Sequence, residues 1–361
     1  MNSSATKTRE FKSFIRVPGG GEISRCFYPF KLDTYGRGCC NNCHYCYARS
    51  VLHFRQLWSS DRPAVANYRR IKKVFNDVFI RKHTTDMSYL LNDRIPIRLG
   101  GMTDCFSDIE KERKVSLRTL KFLKGFDYPA LILTKNKLIA SPEYMEAMDP
   151  GLDYVQFSIT TPYDDIAKLY EEGASTTSER LAAIETLTRN GFYVAARINP
   201  FFPIYPDGYY TGKRKYEGDP LRYFDWSLID MLADAGCKTV IGGFLRLSTW
   251  NIGWIKEKTG NDLTYLFDPA TKQRNSALHY GAAEKRYYYE KTRELCTTRG
   301  MEFSVCYDGD ESYETFRDLW ANPDDCCNGK GKIRGFKRAY DFENLNFKAK
   351  THYRWGGPDA I

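Results

Sequence analysis

The chain has no apolar run near the ~18 residues a membrane span requires. Its opening residues, MNSSATKTREFKSFIRV, are polar and lack the hydrophobic stretch of a secretory signal. These absences make a cytoplasmic protein with no membrane partner the expectation. No internal repeat is visible, so the fold is not a stack of short copies. Wholesale disorder is excluded by a hydrophobic content of 42% that includes 15% aromatics. With 361 residues the chain is long enough for one large domain with extensions. The net charge of +9, from 54 basic and 45 acidic residues, permits a polyanionic partner without requiring one.

Cysteine is abundant, at eleven residues. In a cytosolic chain, clustered cysteines point to metal or redox chemistry rather than to disulfides. Cys26, Cys105, Cys237, Cys296 and Cys306 stand singly, as small buried hydrophobes often do. Cys39, Cys40, Cys43 and Cys46 form one group, and Cys326 and Cys327 a pair.

Short β-branched runs alternate with amphipathic stretches. The predicted strands are 30–34, 95–99, 130–134, 154–159, 193–198 and 239–244, and the predicted helices are 111–125, 142–148, 178–190 and 221–235. Ser178 is a candidate N-cap, and Gly191 and Gly236 stand where a helix end wants positive φ. Such alternation means parallel strands with crossover helices, and six units fit a partial barrel. In that fold the working residues follow the carboxyl ends of strands. Two stretches break the rhythm: a Pro-, Tyr- and Lys-rich insertion at 201–226, and a basic, aromatic segment at 328–355.

The run GCCNNCHYCYARS (38–50) offers two registers. Cys40, Cys43 and Cys46 have the C-x2-C-x2-C spacing of bacterial ferredoxins, but no fourth cysteine occurs in 47–63. A structural zinc site would need a second ligand pair, which nothing nearby supplies cleanly. Cys39, Cys43 and Cys46 have C-x3-C-x2-C spacing, which resembles the signature of radical S-adenosylmethionine (SAM) enzymes. The resemblance implies a 4Fe–4S cluster held by these three cysteines, with one iron left open for SAM. It also implies reductive cleavage of SAM to a 5′-deoxyadenosyl radical, which abstracts hydrogen from the substrate. In such enzymes the cofactors carry the hard chemistry while the protein fixes geometry.

CHYCYAR (43–49), RLGGMTDCFSDIEKE (98–112), LILTKNKLI (131–139), VQFSITT (155–161), EEGASTTSERL (171–181) and ARINPFFP (196–203) resemble the spore photoproduct lyase-like branch of that superfamily. The fold implied is α/β, a partial (βα)6 TIM-like barrel over residues 30–250. An N-terminal extension (1–29) and a basic, aromatic C-terminal extension (251–361) flank it. The resemblance assigns Gly100, Gly101, Thr103, Asp104, Lys135, Ser158 and Arg197 to SAM. Glycine suits the first two because it lets backbone approach a ligand closely. Tyr45 and Tyr47 are candidates for a hydrogen relay, and Cys105 for a displaced thiol donor, since the lyase's own cysteine would fall near Gly101 or Met102.

The basic, aromatic segments suit nucleic acid, with cations for phosphates and rings for stacking. A base buried in duplex DNA would have to be flipped or bent toward the barrel mouth. The expected substrate is a thymine-derived base in DNA, repaired or elaborated, with a flavodoxin- or ferredoxin-type electron donor. The rivals are a radical SAM enzyme for a small molecule or peptide, and a non-catalytic iron–sulfur or zinc protein that binds nucleic acid. Cys306, Cys326 and Cys327, with Cys296 or Cys40, are considered for an auxiliary site, although their spacing fits no standard zinc pattern.

Overall fold

The computed structural model describes residues 10–11, 28, 31–58, 62–84, 88–201, 224–245, 247–260, 277–278, 282–306, 315–334 and 336. Almost all of the 201–226 insertion and the tail beyond residue 336 lie outside them.

Seven strands form the main sheet: β1 (Lys31–Leu32), β2 (Ile97–Leu99), β3 (Ala130–Thr134), β4 (Asp153–Ser158), β5 (Tyr193–Phe201), β6 (Thr239–Phe244) and β7 (Glu302–Val305). Every pairing is parallel and joins strands consecutive in this series. The terminal strands β1 and β7 do not pair, so the architecture is a partial barrel with an open seam. β4 and β6 are buried at every position, as parallel strands covered on both faces must be.

Among the helices are α1 (Tyr47–Phe54), α2 (Tyr68–Phe75), α3 (Val115–Lys124), α4 (Pro142–Ala147), α5 (Thr177–Arg189), α6 (Ser227–Asp234), α7 (Thr249–Thr259) and α8 (Ala282–Thr298). No helix among the described residues is long and apolar enough to cross a membrane.

Three expectations need correction. The helix expected over 111–125 breaks at Lys114, whose φ is 50°. The cause is Glu110, whose fully buried carboxylate accepts from the Ser116 and Leu117 N–H groups (2.9 and 2.8 Å) and so caps a new helix, α3. The cap of α5 is Thr176 rather than Ser178, and it forms a capping box with Glu179. Thirdly, the sheet has one strand more than the six expected: β7 pairs with β6 well beyond residue 250. Gly191 and Gly236 do adopt positive φ, 83° and 84°.

Residues 325–336 close the barrel floor. Asp325 accepts from Tyr28 Oη (2.5 Å) and from the Gly329 N–H (2.7 Å). Tyr154, near the start of β4, donates to the Cys327 carbonyl (2.6 Å) and packs on Phe336. Asn328 donates to Thr239 at the start of β6 (3.0 Å). Lys330, Lys332 and Arg334 pair with Asp324, Glu302 and Asp149 at 3.3, 2.7 and 3.9 Å. Glu302 opens β7 and Asp149 precedes β4, so these cations lie at the amino ends of the strands. The described part of the basic segment is a plug, not a clamp at the mouth.

Candidate active site

The loops after β1, β2, β3 and β4 converge at the carboxyl ends of the strands. The loop after β1 carries Cys39, Cys43 and Cys46 and leads into α1, whose N-cap is Cys46. A wall formed by residues 170–175 pins it. The His44 N–H donates to the Tyr170 carbonyl (2.9 Å), the Gly173 N–H to the Asn41 carbonyl (3.1 Å), and Cys43 bridges Glu171. Contact is so close that a Cβ on Gly173 would sit 1.8 Å from the Cys40 carbonyl oxygen. Only glycine fits there.

From the other side Asp104 holds three loops together. Its carboxylate accepts from Asn41 Nδ2 (2.9 Å), Thr134 Oγ1 (2.9 Å) and the Lys135 N–H (2.7 Å). Thr103 donates to the Gly38 carbonyl (3.1 Å).

Cys46 lies near enough to Cys39 and Cys43 to raise the ionisation of both, and Cys39 near enough to raise that of Cys43. Burial pushes all three upward. Backbone N–H groups oppose that shift, from Asp104 and Asn41 at Cys39 and from Arg49 and Ala48 at Cys46. N–H groups aimed at sulfur, in surroundings where a bare thiolate is unfavourable, suit thiolates neutralised by an iron–sulfur core. Cys40 points elsewhere, toward Ser107 and Ile109. The C-x3-C-x2-C register is therefore the one whose thiols share one electrostatic environment, although among the described residues no three such side chains are gathered as a ready metal site.

Behind this loop lies a buried ion network. Glu171 is fully buried and accepts from Tyr45 Oη, Lys135 Nζ (2.7 Å) and Arg180. Burial alone would raise its carboxyl, but the Arg180 and Lys135 charges hold it at about 2. Lys135 Nζ also donates to Tyr45 Oη at 2.9 Å. Arg180, itself 1% exposed, donates to the Ser158 and Ser175 carbonyls at 2.7 and 2.8 Å.

The remaining candidates divide between cavity and core. Tyr47 is 56% exposed, yet its hydroxyl is pushed up by surrounding protein, as in a ring lining an open cavity. It donates to the Gly101 carbonyl (2.9 Å). Gly100 has φ +85°, and a Cβ there would meet the Leu133 carbonyl at 2.3 Å, so this glycine serves the approach of two strands. The Gly101 N–H is taken by Asp33 Oδ1 (2.7 Å). Ser158 ends β4 beside Arg197 in the register. Cys105 is fully buried, its thiol turned to the Leu32 and Thr103 carbonyls and pushed well up by burial. That places it in the packing behind the loop.

Arg197 is buried inside the barrel. Its guanidinium donates to Gln156 Oε1 (3.0 Å) and Cys306 Sγ (2.7 Å), with Cys327 Sγ at 3.8 Å. Cys296 instead faces Cys237.

Sequence reasoning missed Asp33, Glu110, Glu171, Gly173 and Arg180, although it named Tyr45 and Lys135, two of the three partners of Glu171. The run EEGASTTSERL contains Glu171, Gly173 and Arg180, and a Glu–Glu–Gly sequence directly after the helix Asp164–Tyr170 was the available signal.

Residues 34–207 match the Radical SAM superfamily. That segment, just under half of the chain, is a radical SAM domain and makes the protein a radical SAM enzyme, with a 4Fe–4S cluster and SAM as its cofactors. Among solved structures its fold is similar to that of spore photoproduct lyase. The complex of that enzyme with dinucleoside spore photoproduct shares 19% identity over 81% of each chain, at a TM-score of 0.56. A variant with bound AdoMet and the same dinucleoside shares 18% identity over 81% of this chain and 86% of that one, at a TM-score of 0.55. No curated protein matches the chain.

Proposed function

We propose that this enzyme acts on a thymine-derived base in DNA, which it repairs or chemically elaborates. The observation that supports the catalytic half is that one loop at the mouth of a parallel barrel carries Cys43, buried, with Cys39 and Cys46, half-buried, and N–H groups directed at the latter two. Cys39, Cys43 and Cys46 hold the cluster. The Gly100–Gly101 turn, Thr103, Asp104, Lys135, Ser158 and Arg197 shape the SAM side of the cavity. Bound together there, cluster and SAM supply a 5′-deoxyadenosyl radical. The protein's own part is positional: Asp104 and Glu171 fix the cysteine loop, Tyr45 is held neutral against Glu171, and Tyr47 lines the cavity. An external flavodoxin- or ferredoxin-type donor supplies electrons, in a reducing cytoplasm that keeps the thiols free.

The substrate half rests on the motif resemblance and on the basic charge. Since Lys330, Lys332 and Arg334 are spent on carboxylates, phosphate contacts fall to other cations. Arg69 and Lys72 on α2 present one such surface, in a shallow pocket of ≈ 240 Å³ whose other cations, Lys73 and Arg81, are already paired with Asp77.

Two experiments test the reading. Anaerobic reconstitution and reduction yields 5′-deoxyadenosine from SAM, lost in Cys43→Ala. Deuterium from thymidine-labelled DNA then appears in that 5′-deoxyadenosine; label retained entirely in the DNA contradicts the substrate. Binding to duplex DNA that weakens with salt supports the nucleic-acid reading, and binding indifferent to salt favours a small molecule or peptide.

A further inference from the structure

Arg197 is a buried cation whose neighbours are sulfur. The groups acting on its guanidinium are Cys306, Cys327 and Cys326, after the cost of burial itself. A buried charge needs a partner, and here thiols take the place that Glu171 fills for Lys135 and Arg180. The three cysteines come from two distant segments, the end of β7 and the floor plug, and meet on one side chain of β5.

Their surroundings differ. Cys327 is buried among Cys326, Arg197, Arg98 and Asp325; the Cys326 thiol donates to it, and it ionises at about 7 despite burial. Cys306 is only partly buried and follows the carboxyl end of β7, its N–H bonded to the Gly242 carbonyl (2.7 Å). It also lies near enough to the Tyr47 hydroxyl to act on it, as does Cys46. Cys306 is therefore within reach of both the Tyr47 side and the guanidinium, which also contacts Cys327. Beside them Gln156 is fully buried, and its Nε2 has no hydrogen-bond partner among the described residues. That leaves an open donor in the same layer.

We infer that Arg197 organises Cys306 and Cys327 as a thiol–thiolate pair that delivers a hydrogen atom into the cavity. The inference rests on the radical SAM assignment, not on the identity of the substrate. The step balances as follows. The Cys306 S–H bond breaks and a C–H bond forms on the carbon radical, leaving a sulfur radical. The electron-rich sulfur of Cys327 shares that radical in a three-electron S–S bond. One electron from an external one-electron donor and one proton then restore thiol and thiolate. Arg197 is a positioning residue in this scheme, and Cys306 is the group that touches the reacting carbon.

Two measurements decide it. On cluster-free protein, titration of thiolate ultraviolet absorbance shows one thiol ionising near pH 7. The signal is lost in Cys327→Ser, moves upward in Arg197→Gln and is largely retained in Arg197→Lys. Absence of such a thiolate, or its indifference to Arg197, overturns the pair. The second uses reconstituted enzyme with SAM and dithionite in D2O, without added substrate. The 5′-deoxyadenosine formed carries one deuterium, drawn from the exchanged thiol. Cys306→Ser lowers the deuterated fraction at least fivefold, whereas Cys296→Ser, a buried thiol remote from Arg197, leaves it unaltered. Equal deuteration in Cys306→Ser overturns the donor role. Failure to form any 5′-deoxyadenosine would instead count against the radical SAM assignment, and melting curves of each variant separate misfolding from both.

Discussion

This barrel holds two buried cationic centres, and their counterions differ in kind. At the wall of the cysteine loop, Lys135 and Arg180 share the carboxylate of Glu171. On β5, level with the end of β4, Arg197 rests on the sulfurs of Cys306 and Cys327. A carboxylate held at about 2 stays charged at every physiological pH and makes a permanent fastening. A thiol can instead take up its proton, or give up a hydrogen atom, while the cation stays in place. The first arrangement fixes geometry, and the second leaves chemistry available.

The sharpest test of that contrast removes each counterion. Glu171→Gln strands two buried cations and should cost about 3–5 kcal/mol in denaturant unfolding, with loss of iron on reconstitution. The pH dependence carries a sign. Glu171 has a folded value below its ordinary 4.5, so its contribution is complete above about 4.5 and disappears as pH falls through about 2. The Gln variant should lack that acid-side loss, and an unchanged acid profile would break the account of a permanent fastening.

Gly173→Ala ranks next. Its methyl group meets the Cys40 carbonyl, so the loop must shift, at a cost of about 1–3 kcal/mol and with weakened cluster binding. Arg197→Gln should be milder, about 1–2 kcal/mol, because the thiols left behind can protonate. A cost equal to that of Glu171→Gln would show the two centres to be alike. Lys332→Ala removes an exposed pair with Glu302 at the floor and should cost less than about 1 kcal/mol. It should leave DNA affinity within about twofold, since its charge is already met by a carboxylate on the side away from the mouth; a larger loss would return the basic segment to the substrate.

Much of this was legible in the sequence, and the reasons are physical. The strands at 130–134 and 239–244 were placed to the residue because parallel strands buried on both faces read as continuous apolar runs. The cysteine loop was legible because its three motif cysteines are close in sequence. What escaped was set at long range. Glu171 meets Tyr45 across 126 residues and Arg197 meets Cys327 across 130, distances over which spacing carries no information. The strand at Glu302–Val305 is four residues long and opens on a charged residue, so it resembled the polar segments around it. The segment after Asn328 was read by its charges, while Ile333 and Phe336, both buried, decide where it goes.

The central claim is that Cys39, Cys43 and Cys46 leave one iron for SAM to grasp. Electron paramagnetic resonance of the dithionite-reduced, anaerobically reconstituted protein addresses it most directly. An iron–sulfur signal that changes on adding SAM, absent from Cys43→Ala, is the result expected. A signal indifferent to SAM, or a purified protein holding zinc at these cysteines, would contradict it.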